Sequence, residues 1–369
     1  MKHERSSKDG VWIGTDPHDA AKLIRPTGDM DDSMAMGRMA LVRRGTAEVL
    51  SEAELGEKLA GGKRLSAYLG RAITGPLHLG HLVSISKLLD LQRANITAIV
   101  LLADIHAALD DQKSKWEELE VRREYTRKAI ELSVDWQEMP RFVLGSDFQT
   151  TKEYQMDIFR FSTLATVRDA LHAASEVTRM KNPKVSELIY PIMQGLDEQY
   201  LGVDIQLGGT DQRHIMVFAR KFLPMLGYER RVELMMPLIP SLKGPGVKMS
   251  SSLPGTNIKV NASEEEIRAT VNGAYCPAGV IQDNPLTAIA NLFVLPNEGS
   301  FTIARPEKFG GDLVVNSQEQ LNEEFASKRL HPVDLKWFLA DYLIRKLARA
   351  REYFEANQDL INRLGPQFK

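Results

Sequence analysis

The chain holds a single cysteine, Cys276, in 369 residues. That excludes an internal disulfide and a zinc site built on cysteines. It lacks any run of ~18 apolar residues, the length a helix needs to cross a bilayer, so no membrane partner is expected. The opening residues, MKHERSSKDG, carry no apolar stretch of the kind a secretory leader requires. A cytoplasmic, reducing compartment fits. Neither sign of charge dominates, since 47 basic and 49 acidic residues give a formal net charge of −2. A polycation that coats DNA is thereby excluded, and no DNA partner is expected; a local basic surface gripping one folded RNA is not excluded. Hydrophobic residues make up 43% and charged residues 26%, ordinary values for a globular chain. Its length suits one large and one smaller domain.

Residues 1–38 are polar, rich in Asp, Gly, Ser, Pro and Met, and without sustained periodicity. They read as a mobile extension. From Met39 an α/β rhythm is expected to run to residue 262. Ser51 with Glu54 has capping-box spacing and predicts a helix start. Ser66–Leu69 predicts a short strand, and Gly80–Ala94, with Leu82, Ile85, Leu88, Leu89 and Leu91, an amphipathic helix. The continuous apolar run Ile96–Ala103 predicts a parallel strand buried on both faces. Residues 115–133 predict a charged helix, and Arg141–Leu144, Val203–Gly208 and Val232–Ile239 further strands. A helical insertion is expected over 151–185. The predicted fold is α/β: a Rossmann-like doubly wound parallel sheet that binds ligands at the carboxyl ends of its strands. After Ala262, Ser263 with Glu266 forms a second capping box, and residues 263–369 predict a smaller helical domain.

Two short motifs carry chemistry. His78-Leu79-Gly80-His81 lies between a predicted strand and a predicted helix. Gly80 lets a phosphate or adenine approach the backbone, the helix N-terminus offers free N–H donors, and two imidazoles can hydrogen-bond phosphate oxygens as charge develops. Lys248-Met249-Ser250-Ser251-Ser252 lies in the Gly- and Pro-rich stretch 243–255. A mobile loop with one ammonium and three hydroxyls can close over a triphosphate and stabilise departing pyrophosphate. Either motif alone is weak: a four-residue match arises by chance, and KxSSS is ordinarily a solvated loop. Together, in this order and about 170 residues apart, they are specific. Tyr190, Gln194 and Asp197 are spaced by four and three, which puts them on one face if the segment is helical. His106 follows the buried strand, and satisfied core histidine and pocket wall both account for it.

HLGH and KMSSS resemble the two signatures of class I aminoacyl-tRNA synthetases. The stretches SAYLG, VLLADIHA, NPKV, LIYPIMQ, YLGVD, GGTDQR, EEIRA, AYCPAG, RPEKFGGDL and LHPVDLK extend the likeness to the archaeal and eukaryotic type of tyrosyl-tRNA synthetase, from about Ser51 to Ala350. The resemblance implies activation of L-tyrosine with ATP, Mg²⁺ travelling with the nucleotide, and transfer to the 3′ end of tRNA(Tyr). It assigns His78, His81, Lys248, Ser250 and Ser251 to catalysis. Gly70, Gly80, Gly209, Asp211, Met249 and Ser252 fall to ATP. Tyr68 and Asp197 fall to the phenol hydroxyl, Tyr190, Gln194 and Gln212 to the α-amino end, and His106 to the tyrosine pocket. Arg213 falls to the acceptor stem, and Phe309, His331 and Asp334 to the anticodon's first base. No residue is assigned to a resident metal. The family also implies a homodimer, for which Ile158, Phe159, Phe161 and Leu164 offer an apolar face that a buried core explains equally well.

Three features depart from the family. Arg71-Ala72-Ile73 stands where relatives have Phe-Glu-Pro, which removes a carboxylate near the amino-group end. The stretch 166–174, TVRDALHAA, replaces a dense basic cluster facing the acceptor stem. The extension before Ser51 is longer than the family needs. A stand-alone enzyme that activates or charges tyrosine for a biosynthetic pathway, and a tryptophan-specific synthetase, are the rival readings; Tyr68 and Asp197 oppose the second. A small-molecule nucleotidyltransferase would lack KMSSS linked to a helical tail. A dead RNA-binding paralogue would not keep both signatures.

Overall fold

The computed structural model describes residues 32–110, 113–177, 182–246, 249 and 255–368. Six strands form one sheet: β1 (Glu48–Leu50), β2 (Leu65–Ala72), β3 (Ile96–Ala103), β4 (Arg141–Leu144), β5 (Ile205–Gly209) and β6 (Val232–Met236), in spatial order β1-β6-β5-β2-β3-β4. All neighbouring pairs are parallel except β1 with β6. The chain winds outward from β2 through β3 to β4, then returns to build β5 and β6 on the other side. The order therefore reverses between β2 and β5, and the crevice beyond their carboxyl ends is where such sheets bind ligands.

The helix Leu79–Arg93 leaves that crevice and packs its leucines into the core, with Leu82, Ile85, Leu88, Leu89 and Leu91 all buried. The run Ile96–Ala103 is buried throughout apart from Thr97, as a central strand covered on both faces must be. Helix Leu119–Ser133 covers one face. Its Tyr125 ring meets Phe354 at 4.8 Å and Phe368 at 4.9 Å between centroids. The C-terminal helices thus share one apolar core with the sheet.

Several expectations are corrected. Residues 1–31 lie outside the described residues, but 32–38 belong to a helix, Asp32–Arg43. Its Arg38 is buried and donates to the carbonyls of Ala94 and Leu59. Helix Glu52–Ala60 forms, yet not through a capping box. Ser51 is left-handed (φ 63°) and makes no cap bond; Arg220 instead takes both the Ser51 hydroxyl and Glu54. The second box is real: Glu266 N–H donates to Ser263 Oγ at 3.1 Å and Ser263 N–H to Glu266 Oε2 at 2.8 Å. The insertion is two helices, Lys152–Ser162 and Val167–Ala174, packed on Val185–Tyr200 and Arg213–Phe222 as a second core. Ile158 and Phe161 are buried there, so of the expected interface residues Phe159 is the one left largely exposed, at 61%. The C-terminal region also contains a two-stranded ribbon, β7 (Phe301–Ile303) with β8 (Leu313–Val315). Among the described residues no helix is long and apolar enough to cross a membrane.

Candidate active site

β2 and the two loops beside it organise the site. Along β2, Tyr68 and Gly70 project from one face of the sheet and Leu69 and Arg71 from the other. The packing agrees: Leu69 joins the core under helix Leu79–Arg93, whereas Tyr68 clusters with Ile99, Leu101 and Val203.

On the Tyr68 face the buried polar groups gather around Asp197, which is 1% exposed. Helix Val185–Tyr200 carries Tyr190, Gln194 and Asp197 on one face, as their spacing requires. Asp197 Oδ1 accepts from Gln149 Nε2 at 2.8 Å. The Tyr154 hydroxyl lies 2.7 Å from the same oxygen and 2.8 Å from the Met193 carbonyl, sharing one proton between two acceptors. Asp197 Oδ2 takes no hydrogen bond among the described residues, and His106 Nε2 lies 3.8 Å from it. Burial pushes the Asp197 carboxyl up to about 7 despite its two donors, and Asp104 adds to the rise. The Tyr68 hydroxyl is enclosed without a partner. Burial first, then the charges of Glu198 and Asp197, hold its pKa far above the usual phenol value, so it stays a neutral donor. His106 meets the Tyr190 ring edge-on at 4.7 Å, and burial lowers its pKa to about 4, leaving it neutral. Nearer the mouth, Gln194 Nε2 donates to Gln212 Oε1 at 2.9 Å.

On the other side sits the HLGH turn. His78 caps helix Leu79–Arg93, and its ring stacks on that of His81 at 3.7 Å. The His78 N–H donates to His81 Nδ1 at 3.3 Å, which leaves the proton of a neutral His81 on Nε2. His78 Nδ1 is buried and unpartnered. Burial lowers the His78 pKa to about 3 and drives His81 well below its ordinary value; in both, the Arg71 charge adds to the effect. Both rings are therefore neutral hydrogen-bonding groups at physiological pH.

Lys248, Ser250, Ser251 and Ser252 lie outside the described residues. The residues around them converge on the same turn. A Cβ on Gly80 would stand 2.6 Å from Met249 Sδ and 3.2 Å from the His78 ring, so glycine is needed there for the Met249 contact. Downstream, Leu79 N–H donates to Ile258 O at 2.9 Å and Val260 N–H to Leu77 O at 3.0 Å, pairing His78 with Lys259. At the end of β5, a Cβ on Gly209 would stand 2.5 Å from Asp211 Oδ1, so only glycine lets that carboxylate fold back on the strand. Gly70 meets nothing closer than Tyr68 Cε2 at 3.7 Å. Among the described residues no group of three or more His, Cys, Asp and Glu side chains could hold a metal ion.

Away from the crevice, Arg213 makes a bidentate pair with Glu48 at 2.8 and 3.0 Å on the surface. Phe309 is 59% exposed with Lys308 Nζ 4.9 Å from its ring centre. His331 caps helix Pro332–Lys346 by accepting from Val333 N–H at 3.2 Å, with Asp334 in the helix's first turn. Where the basic cluster is missing, His172 of the insertion stacks on His214 of helix Arg213–Phe222 at 4.4 Å between ring centroids.

Sequence reasoning missed the groups that hold Asp197. Gln149 closes the short helix Gly145–Gln149 after β4, and Tyr154 lies on the insertion. The only available signal for Gln149 was its place just beyond a strand's carboxyl end.

Comparison with known proteins fits this geometry. The family model of class I tRNA synthetases for tryptophan and tyrosine matches residues 60–348. The tyrosine–tRNA ligase of Methanocaldococcus jannaschii is 43% identical over 318 residues, covering 86% of this chain and 99% of that protein. The cytoplasmic tyrosine–tRNA ligase of Saccharomyces cerevisiae is 39% identical over 344 residues, covering 89% and 86%. The crystal structure of tyrosyl-tRNA synthetase from Archaeoglobus fulgidus complexed with L-tyrosine superposes with a TM-score of 0.80 at 40% identity, covering 90% of this chain and all of that one. The chain belongs to the class I aminoacyl-tRNA synthetases of the tryptophan and tyrosine family.

Proposed function

We propose that this chain is a tyrosine–tRNA ligase, which activates L-tyrosine with ATP and transfers it to the 3′ end of tRNA(Tyr). The observation that carries the reading is a pair of open hydrogen-bonding positions among the described residues: both donors to Asp197 go to Oδ1, leaving Oδ2, and the Tyr68 hydroxyl has no partner. A phenol satisfies both, donating to the carboxylate and accepting from Tyr68. A phenyl ring leaves both unsatisfied, which is how one hydroxyl separates tyrosine from phenylalanine. An indole N–H would satisfy only Asp197, so the pair disfavours tryptophan. At the mouth, the Gln194–Gln212 bond leaves the Gln194 oxygen as an acceptor for the ammonium, beside Tyr190.

In the first step a tyrosine carboxylate oxygen bonds to the α-phosphorus of ATP. The bond to the bridging oxygen breaks, and pyrophosphate leaves with that electron pair. The residues position the reactants and stabilise charge, with no covalent enzyme intermediate. His78 and His81 act as neutral donors to the phosphates and Lys248 with its serines covers the leaving group, while Gly209 and Asp211 take the ribose side. Mg²⁺ arrives with ATP. In the second step the terminal ribose hydroxyl of tRNA attacks the activated carbonyl, the acyl–oxygen bond to the phosphate breaks, and AMP leaves with that electron pair while its phosphate takes the hydroxyl proton. Phe309 supplies a stacking face for an unpaired anticodon base, with His331 and Asp334 beside it, and Arg213 turns to the acceptor stem. The catalytic body spans 39–262 and the anticodon-binding region 263–369. A cytoplasmic homodimer is part of the reading; Met156 and Phe159, three apart on one exposed helix face, supply its apolar contact with a second copy.

The test is amino-acid-dependent ATP–pyrophosphate exchange across the twenty amino acids, then charging of tRNA. Tyrosine alone should support exchange, and tRNA(Tyr) should be charged. Exchange with another amino acid would overturn the specificity; exchange with tyrosine but no charged tRNA would favour a stand-alone activating enzyme.

A further inference from the structure

Arg71 is a charged group beside the HLGH turn that the mechanism above leaves idle. It stands where β2 ends, on the face opposite Tyr68, and therefore on the side of the HLGH turn. Several other enclosed cations among the described residues have acids of their own. Arg122 pairs with Glu118 at 2.7 Å, Arg220 with Glu233 at 2.9 Å and Lys87 with Asp90 at 3.4 Å. Arg71 makes no salt bridge among the described residues and its Nε is buried without a hydrogen-bond partner; Arg231 Nε is unpartnered too, but that guanidinium donates to Glu229 O and Gln199 Oε1. The groups whose charge acts on it are the phenols of Tyr190 and Tyr125, not carboxylates. Its own charge acts in turn on His78 and His81. A half-buried cation whose electrostatic neighbours are two phenols and two neutral imidazoles is costly to keep there unless an anion joins it.

We propose that Arg71 is a further catalytic residue of the activation step, its guanidinium binding the α-phosphate oxygens of ATP beside His78 and His81. This rests on the synthetase reading of the site. The balance of its neighbours selects phosphate over the tyrosine carboxylate: Tyr190 alone comes from the amino-acid side, whereas both imidazoles belong to the nucleotide turn, and alternation along β2 sets Arg71 opposite Tyr68. As the carboxylate oxygen bonds to the α-phosphorus, negative charge grows on the equatorial oxygens while the bond to pyrophosphate breaks. A planar, permanently charged fork suits that charge, and Arg71 neither gives nor takes a proton. The departure from Phe-Glu-Pro to Arg71-Ala72-Ile73 thus puts a cation at the reacting end of the nucleotide.

The test uses the full chain and its Arg71→Ala, Arg71→Gln and Arg71→Lys variants in tyrosine-dependent ATP–pyrophosphate exchange. Binding of tyrosine and of tyrosinol, which lacks the carboxylate, is measured alongside. The Ala and Gln variants should lose about 100-fold in kcat, the scale of one transition-state donor. Both should bind tyrosine and tyrosinol as the parent does, and millimolar guanidinium should restore part of the Ala variant's rate. Lys should recover charge but not the fork, and fall between. Exchange within twofold of the parent in the Ala variant would overturn the proposal. So would a selective loss of tyrosine but not tyrosinol binding, since Arg71 would then hold the carboxylate. Unchanged tyrosinol binding shows that the pocket is folded. If the parent exchanges with a different amino acid, that result falls on the specificity, and the same comparison is run with that substrate.

Discussion

Replacing Asp197 by Asn separates the two hydrogen-bonding duties of its carboxyl group. Asn keeps the shape and an oxygen for Gln149 and Tyr154, which lie 2.8 and 2.7 Å from Oδ1. At the Oδ2 position it presents an amide nitrogen, which cannot accept from the substrate phenol. A hydrogen bond to a charged acceptor contributes about 1.5–3 kcal/mol, so the Tyr/Phe ratio of kcat/KM should fall about 10- to 150-fold. The pH dependence makes the reasoning stricter. Burial raises the Asp197 carboxyl to about 7, so the anionic acceptor is present above that pH and is lost as pH falls through it. In the parent the Tyr/Phe ratio should therefore rise with pH through about 7. Using the ratio cancels protonation of ATP and pyrophosphate, and kcat/KM reports the free enzyme. In the Asn variant the ratio should be flat. The same shift bears on folding: the stability contributed by this proton is full below the unfolded carboxyl value of about 3.9 and is lost as pH rises through about 7. A variant ratio equal to the parent's, or an unchanged pH profile, would refute the placing of the phenol at Oδ2.

Gly80→Ala puts a methyl 2.6 Å from Met249 Sδ; exchange should fall about 10- to 100-fold through displacement of the lysine loop, and adding Met249→Ala should recover part of it. If the double variant is no better than the single, the Met249 contact is not the reason for glycine. Phe309→Ala should raise the KM for tRNA in aminoacylation about 5- to 150-fold, the range of one lost base stack; a KM within twofold of the parent would remove Phe309 from the RNA surface. Phe159→Asp should halve the mass seen by light scattering, and an unchanged mass would place the interface elsewhere.

What could be read from residue order alone follows from how local each signal is. The run 96–103 and the leucines of 79–93 announced their elements because burial on two faces or one leaves a direct imprint on composition. β1 is three residues long and paired at an edge, with no face of its own to pattern. The Ser51 box failed because Arg220, 169 residues away, outcompeted the local bond. Ile158 and Phe161 had two equal explanations until the packing of Val185–Tyr200 and Arg213–Phe222 buried them. Motif and helical spacing anticipated the placement of His78 beside His81 and of Tyr190, Gln194 and Asp197 on one helix. Gln149 and Tyr154, which orient Asp197 from 48 and 43 positions away, leave no local trace.

The most direct measurement is a crystal structure with a non-hydrolysable tyrosyl-adenylate analogue. One continuous density should span the crevice between β2 and β5, with the phenol oxygen at hydrogen-bond distance from both Asp197 Oδ2 and the Tyr68 hydroxyl, and the phosphate mimic beside His78 and Arg71. A phenol bound away from Asp197, or an adenylate seated apart from the HLGH turn, would contradict it.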